Sequence, residues 1–284
     1  MHLAFHNDAI TARPKPELHM TLTVGTTNIH LVDSGQGSPI LFLHGNPDSS
    51  DVWSGIIPAL SPHFRCVAPD LPGFGRSTAP ADFDYSLEGM ASWVDKLVNA
   101  VGIAEPLHLV VHDIGGPFGL AWAVRYPHKV RSVVIMNTVF SSEYRWHLFG
   151  RLWRMPVIGE LVQALTSRSG FTRELRRASR KLSREHIHRT FALITPSVKR
   201  QMLRWYRATD PENFVGWEDA LRIVLTMKRS LVLWAQHDPY IAVRFADSFG
   251  AASVEHFPES GHWLPVEEAD AVAERLLRFY AAKA

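Results

Sequence analysis

Apolar residues recur along this chain with two different periods, and the order of those periods predicts its architecture. HMTLTVG (19–25) and NIHLVDSG (28–34) alternate apolar and polar positions, as half-buried strands do, and Thr26-Thr27 between them predicts a hairpin turn. Largely apolar runs follow: PILFLHG (39–45), the start of FRCVAPDLPGFGRS (64–77), LHLVVHD (107–113), VRSVVIMN (130–137) and SLVLWAQHD (230–238), and the strand–helix alternation continues with ASVEHF (252–257). Runs of that kind suit parallel strands covered on both faces. Helical spacing separates them. It marks SLEGMASWVDKLVNAVGI (86–103), where Ser86 is placed to cap the first turn, then GGPFGLAWAVRYP (115–127), a segment near 242–249, and PVEEADAVAERLLRFYAA (265–282).

The alternation stops between Ser141 and Lys228, where no strand-like run occurs and the residues are helical in pattern and rich in arginine and tryptophan. The expectation is an α/β fold with a mainly parallel central sheet flanked by helices and interrupted by an inserted helical cap. Its parts are a first core segment (1–140), the cap (141–228) and a second core segment (229–284). Within the cap, RELRRASRKLSREHIHR (173–189) reads as the solvated basic face of one helix. The alternative is a surface that attracts an anionic substrate or partner.

Composition adds mainly exclusions. The 284 residues are 46% hydrophobic and 20% charged with a formal net charge of +2, which suits an enzyme-sized globular chain and gives no support to nucleic-acid binding. A single cysteine, Cys66, rules out an intrachain disulfide and reads as an inert strand thiol. No signal-peptide pattern opens the sequence and no apolar stretch approaches membrane-spanning length, so a cytoplasmic protein with a short N-terminal arm and no membrane partner is expected. No histidine or carboxylate spacing marks a metal site, and no cofactor motif is present.

Ligands of open α/β sheets bind beyond the carboxyl ends of the strands. Asp113 and Asp238 each end a strand there, and His262 lies in the loop after the last one, in the chain order nucleophile, acid, histidine. An aspartate at the strand tip is ionised at neutral pH without a base to activate it. It can displace a leaving group from saturated carbon and form an ester. His262, oriented by Asp238, would then activate water against that ester. The amides of Ile114 and Asn46 are the expected donors to the oxyanion. Three plainer roles compete: Asp113 as a helix cap, Asp238 as a turn residue before Pro239, and His262 as a loop histidine. His44 reads as structural.

Together HGNP (44–47), DLPGFGRS (70–77), VVHDIGGP (110–117), WAQHDPY (234–240) and SGHWLP (260–265) resemble the α/β-hydrolase superfamily over nearly the whole chain. The aspartate at the elbow resembles the branch that holds haloalkane dehalogenases and epoxide hydrolases. One departure stands out: the elbow has Val111 where a small residue is usual. Resemblance to the epoxide hydrolases implies Tyr206, in LRWYRATDPENFVGWE (203–218), as ring-opening acid. His147 in YRWHLF (144–149) would be its partner, with Tyr144 as second choice. Resemblance to the dehalogenases implies the Asn46 side chain as halide ligand. Their second donor, a tryptophan after the nucleophile, is Ile114 here, which leaves Trp53, Trp146 or Trp263 to replace it. The implied reaction is hydrolysis of a small apolar substrate by water without a cofactor, giving a diol in the favoured reading. Halide release, a lactone-processing relative and a non-catalytic ligand-binding fold are the alternatives. The tryptophan-rich cap offers a surface for a second copy.

Overall fold

A computed structural model describes residues 18–282; the expected N-terminal arm lies outside them. In the described chain β1 (Leu18–Val24), β2 (Thr27–Ser34) and β3 (Pro39–Leu43) precede α1 (Ile57–Leu60), β4 (Arg65–Pro69) and α2 (Leu87–Ala100). Next come β5 (Leu107–His112), α3 (Gly115–Arg125) and β6 (Val130–Met136). Six helices then follow without a strand: α4 (Leu148–Arg154), α5 (Ile158–Leu165), α6 (Arg168–Ala178), α7 (Arg184–Leu193), α8 (Pro196–Ala208) and α9 (Trp217–Met227). The chain closes with β7 (Arg229–Ala235), α10 (Arg244–Ser248), β8 (Ser253–Phe257), α11 (Leu264–Glu267) and α12 (Ala269–Ala281).

The strands make one sheet in the order β1-β2-β4-β3-β5-β6-β7-β8. β2 pairs antiparallel with both β1 and β4, and all other neighbours are parallel. The largely apolar runs are explained by burial on both faces. On β3, Leu41 and Leu43 enter the core shared with α2 and α3, while Ile40 and Phe42 enter the opposite core with α1 and α12. Ser86 caps α2 as expected, its hydroxyl accepting from the Gly89 amide.

Three expectations shift in detail. The β1–β2 turn is Gly25-Thr26 rather than Thr26-Thr27, because Val24 already pairs with Thr27 and Gly25 supplies the positive φ of +59° that a tight turn needs. The last helix breaks at Glu268 into α11 and α12. The basic stretch 173–189 is not one helix with one solvated face. It divides between α6 and α7, and Leu175, Ala178, Leu182, His186 and Ile187 are buried. Leu182 and Ile187 join the core cluster that also holds Trp263, so this insert segment is fastened to the core.

Candidate active site

The site begins where β5 stops. Asp113 takes a φ of +47°, a strained value for a residue with a side chain, so the chain turns sharply into α3. The Asp113 carbonyl accepts from the Thr138 hydroxyl (2.5 Å) and the Gly116 amide (2.9 Å), which hold the turn in place. Side chains at Gly115 and Gly116 would collide with the Leu43 carbonyl and the Thr138 hydroxyl, so only glycine lets α3 approach β3 and β6 this closely. Val111 is accommodated because the small residue has moved to the helix. A Cβ on Gly119 would strike Val111 Cγ1, so the missing methyl on α3 makes room for the valine on β5.

The Asp113 carboxylate is held asymmetrically. Oδ2 accepts from the Asn46 amide at 2.7 Å, and the Ile114 amide also hydrogen bonds the carboxylate. Oδ1 lies 3.9 Å from His262 Nε2, and the side chain is 15% exposed. Burial pushes the Asp113 carboxyl up, while the His262 charge and the two amides oppose that rise. His262 Nδ1 lies 2.7 Å from Asp238 Oδ2. Burial disfavours the imidazolium, but Asp238 and then Asp113 more than offset it and lift His262 to about 9. Asp238 is itself buried, yet it is held below the usual carboxylate range by the His262 charge and hydrogen bond and by donors from Tyr240 (2.7 Å) and Asn137 (2.9 Å). Asp113, Asp238 and His262, at and beyond the carboxyl ends of β5, β7 and β8, thus meet in one place.

The His262 backbone is gripped from several sides. Its amide donates to Ala178 O at 3.1 Å, and its carbonyl is 2.8 Å from His112 Nε2. The next amide, on Trp263, donates to Ser179 Oγ at 2.9 Å, and the Trp263 indole donates to Asp48. Asp48 also accepts from Thr190 Oγ1 at 2.8 Å and faces His186 Nε2 at 3.4 Å. Burial opposes ionisation of Asp48, but His186 and these donors overcome it and hold the carboxyl at about 2.

Above Asp113 lies a cavity of about 360 Å³ whose walls include Asn46, Ile114, Tyr144, Trp146, His147, Tyr206, Tyr240 and His262. Tyr206 Oη is 3.5 Å from both Asn46 Nδ2 and His147 Nε2. His147 caps α4, its Nδ1 accepting from the Gly150 amide at 3.2 Å. Burial lowers His147 to about 4, and burial followed by the Asp113 charge raises Tyr206 well above the ordinary phenol value. Both are therefore neutral at pH 7. Tyr144 also lines the cavity, but its hydroxyl donates to Tyr240 O at 3.2 Å. Of the three indoles weighed as second donors, Trp263 is engaged by Asp48, Trp53 is absent from the cavity wall, and Trp146 lines the cavity with its N–H unpartnered. His44 is structural, with Nδ1 on Gly45 O and Nε2 accepting from the Leu71 amide, both at 2.8 Å.

Sequence reasoning missed Asn137, Asp48 and Ser179. Asn137 had a readable signal, for it ends β6 beside the strand that carries Asp238. Its side chain ties the two strand ends together, donating to Asp238 and accepting from the Ala235 amide at 2.9 Å.

Comparison with known proteins agrees with the architecture. A family described as alpha/beta hydrolase fold matches residues 38–269. A haloalkane dehalogenase of Agrobacterium fabrum is 44% identical over 114 residues, which are 40% of this chain and 37% of that protein. A cis-3-alkyl-4-alkyloxetan-2-one decarboxylase of Shewanella oneidensis is 37% identical over 112 residues, 39% of this chain and 35% of that protein. Each of these matches takes in well under half of the relative. The solved structure of an epoxide hydrolase, CorEH without ligand, superposes with a TM-score of 0.80 at 22% identity, covering 93% of this chain and 99% of that one; the likeness is one of fold.

Proposed function

The chain belongs to the α/β-hydrolase family, and on that premise we propose that it is an epoxide hydrolase that opens its substrate through a covalent ester on Asp113. The observation that carries this reading is the setting of the Tyr206 hydroxyl. The neutral His147 ring accepts at Nδ1, so its proton sits on Nε2 and faces Tyr206 Oη. Asn46 Nδ2 is a second donor to the same oxygen. With two groups donating to the phenol oxygen, its own proton is left to be given to a substrate oxygen in the cavity. A neutral phenol is a suitable acid for a developing alkoxide.

In the first step Asp113 Oδ1, the oxygen not engaged by Asn46, attacks an epoxide carbon. The carbon–oxygen bond breaks, and the released oxygen takes the Tyr206 proton. In the second step His262 Nε2 removes a proton from water, and the hydroxide attacks the ester carbonyl. The charge on Oδ2 is received by the amides of Asn46 and Ile114. Collapse frees the diol, restores the carboxylate, and lets the His262 proton return to Tyr206 through solvent, so epoxide and water give one vicinal diol. Alkylation also prepares the base. The Asp113 charge is one of those that lift His262, and an ester carries none, so ring opening lowers the His262 pKa toward the neutral form that the second step needs. The helical insert acts as the cap, bringing Tyr206 and His147 over the core's Asp113.

A dehalogenase reading has its own support in the Asn46 side chain, the unpartnered Trp146 N–H and the Agrobacterium relative. It ranks second because the Ile114 side chain offers no donor and Asn46 Nδ2 is turned to Tyr206. Intact-protein mass spectrometry of His262→Gln, mixed with epoxides and bromoalkanes, separates the two. A mass gain of one whole epoxide is expected. A gain of an alkyl group without bromine would transfer the case to dehalogenation, and no adduct from either set would remove Asp113 as nucleophile.

A further inference from the structure

We propose that the α4–α6 face of the helical insert docks on an anionic lipid surface and draws lipophilic substrate from it into the cavity. Three observations converge on this face. First, Leu148, Met155, Val157, Ile158, Leu161 and Leu165 are all solvent-exposed, at 59% for Leu148, 69% for Val157, 56% for Leu161 and 80% for Leu165. They make up six of the twelve strongly exposed large hydrophobic side chains among the described residues. On α5, Ile158, Leu161 and Leu165 recur at three- and four-residue spacing, which gathers them on one side of the helix. Scattered exposed apolar residues need no explanation, but a concentrated stripe marks an interaction surface.

Second, charge is concentrated in the same segment. Residues 148–178 hold six Arg against two Glu, a formal charge of +4 in a chain whose total is +2, although Arg154 pairs with Asp210 and Arg177 with Glu174. On α6, Arg173, Arg176 and Arg177 are exposed, and Arg168 is exposed at its start. Apolar side chains beside arginines are the pattern of a helix that lies in a lipid interface and is attracted by acidic headgroups. The same charge argues against a second copy as the occupant, because a two-fold interface would set one positive face on another.

Third, the cavity opens here. Of its lining residues, Leu165, Ser167 and Gly170 are exposed, so its mouth lies at the junction of the apolar helix and the basic one. An apolar compound dissolved in a bilayer would meet that mouth without crossing water. The sequence expectation of no membrane partner rests on the lack of a spanning segment, and among the described residues no helix is long and apolar enough to cross a membrane. An interfacial helix needs no span.

The test is flotation of the full chain with vesicles of neutral phosphatidylcholine, or of phosphatidylcholine with phosphatidylglycerol at 60:40 (about 40% acidic lipid). Binding to the acidic vesicles, weakened by added salt, is expected. The double variant Val157→Asp/Leu161→Glu should lower the bound-to-free ratio by about tenfold or more. Both positions are exposed, and an unchanged thermal midpoint checks that the variant keeps its fold. No binding, equal binding to neutral vesicles, or undiminished binding by the variant would overturn the proposal. So would a dimer in sedimentation velocity that the variant dissociates. Because flotation reads no catalysis, failure of this surface and failure of the hydrolase reading are told apart.

Discussion

Tyr206 is the residue on which the two candidate chemistries diverge. In epoxide opening the leaving oxygen stays on the substrate and must be protonated; in dehalogenation the halide leaves without a proton. Tyr206→Phe should therefore slow formation of the Asp113 ester from an epoxide by about 10²–10⁴-fold, and leave ester formation from a bromoalkane nearly unchanged. Single-turnover mass spectrometry in the His262→Gln background measures both rates, and equal loss on both substrates would deny Tyr206 the role of acid. At this scale the sequence exposes the residues that sit at strand tips, because a polar residue ending an apolar run is conspicuous. Asp113 and Asp238 stand out in the sequence for that reason, and His262 by its place in the loop after β8. Asp48 does not: it lies in a loop, and its partners Thr190 and His186 are more than a hundred residues away. Such a contact leaves no local pattern.

Ala178 and Ser179, at the end of α6, do not line the cavity, yet they bear on the proposed chemistry. Ala178 O and Ser179 Oγ receive the amides of His262 and Trp263, and α7 supplies Thr190 and His186 to the carboxylate that holds the Trp263 indole. His262, the base in the proposed mechanism, is thus positioned partly by the insert. Ser179→Ala removes one of these holds, and its expected effect is on water attack rather than on alkylation. The hydrolytic half-reaction should slow by about tenfold, the scale of a single lost hydrogen bond of 1–1.5 kcal/mol. Covalent adduct should then accumulate in rapid-quench mass spectra at an unchanged rate of formation. A parallel loss in both half-reactions would mark the contact as support for the fold alone. The sequence hid this role for a definite reason. The arginine-rich 173–189 pattern reports only the outward faces of α6 and α7, and the buried Leu182, His186 and Ile187 look unremarkable among so many charges. By contrast, the central strands were legible because burial on both faces selects largely apolar runs, and the buried polar exceptions His108 and Ser132 pair with each other. At the elbow, Val111 departs from the expected small residue, and the compensation lies eight positions along at Gly119, where only three-dimensional packing reveals it.

Over the whole molecule, the buried histidines predict how stability responds to pH. Burial is the first cause of depression at His108, His112 and His147, which are lowered to about 4, 3 and 4. An unfolded histidine titrates near ~6.5, so below that pH the unfolded chain binds protons that these native residues refuse. Their contribution to stability is present above pH ~6.5 and is lost as pH falls toward 4. Each such group contributes a slope of up to about 1.4 kcal/mol per pH unit, so the three together approach roughly 4 kcal/mol per unit before most carboxylates titrate. His262 acts in the opposite sense. Burial opposes its charge, but Asp238 and Asp113 raise it to about 9. Its contribution is therefore full below pH ~6.5 and is lost as pH rises through 9. Urea midpoints measured from pH 4.5 to 9.5 should accordingly peak between about 6.5 and 7. His262→Gln should shallow the alkaline limb, to which the raised His186 also contributes, whereas His108→Gln, distant from the cavity, should shallow the acid limb, which it shares with His30, His44, His112 and His147. A midpoint that stays level from pH 7 to 5 would show that the three histidines take up protons in the native state. That would remove burial as the force that keeps His147 neutral below pH ~6.5, so one equilibrium titration bears on both the stability of the fold and the pH range over which the donor assignment at Tyr206 holds.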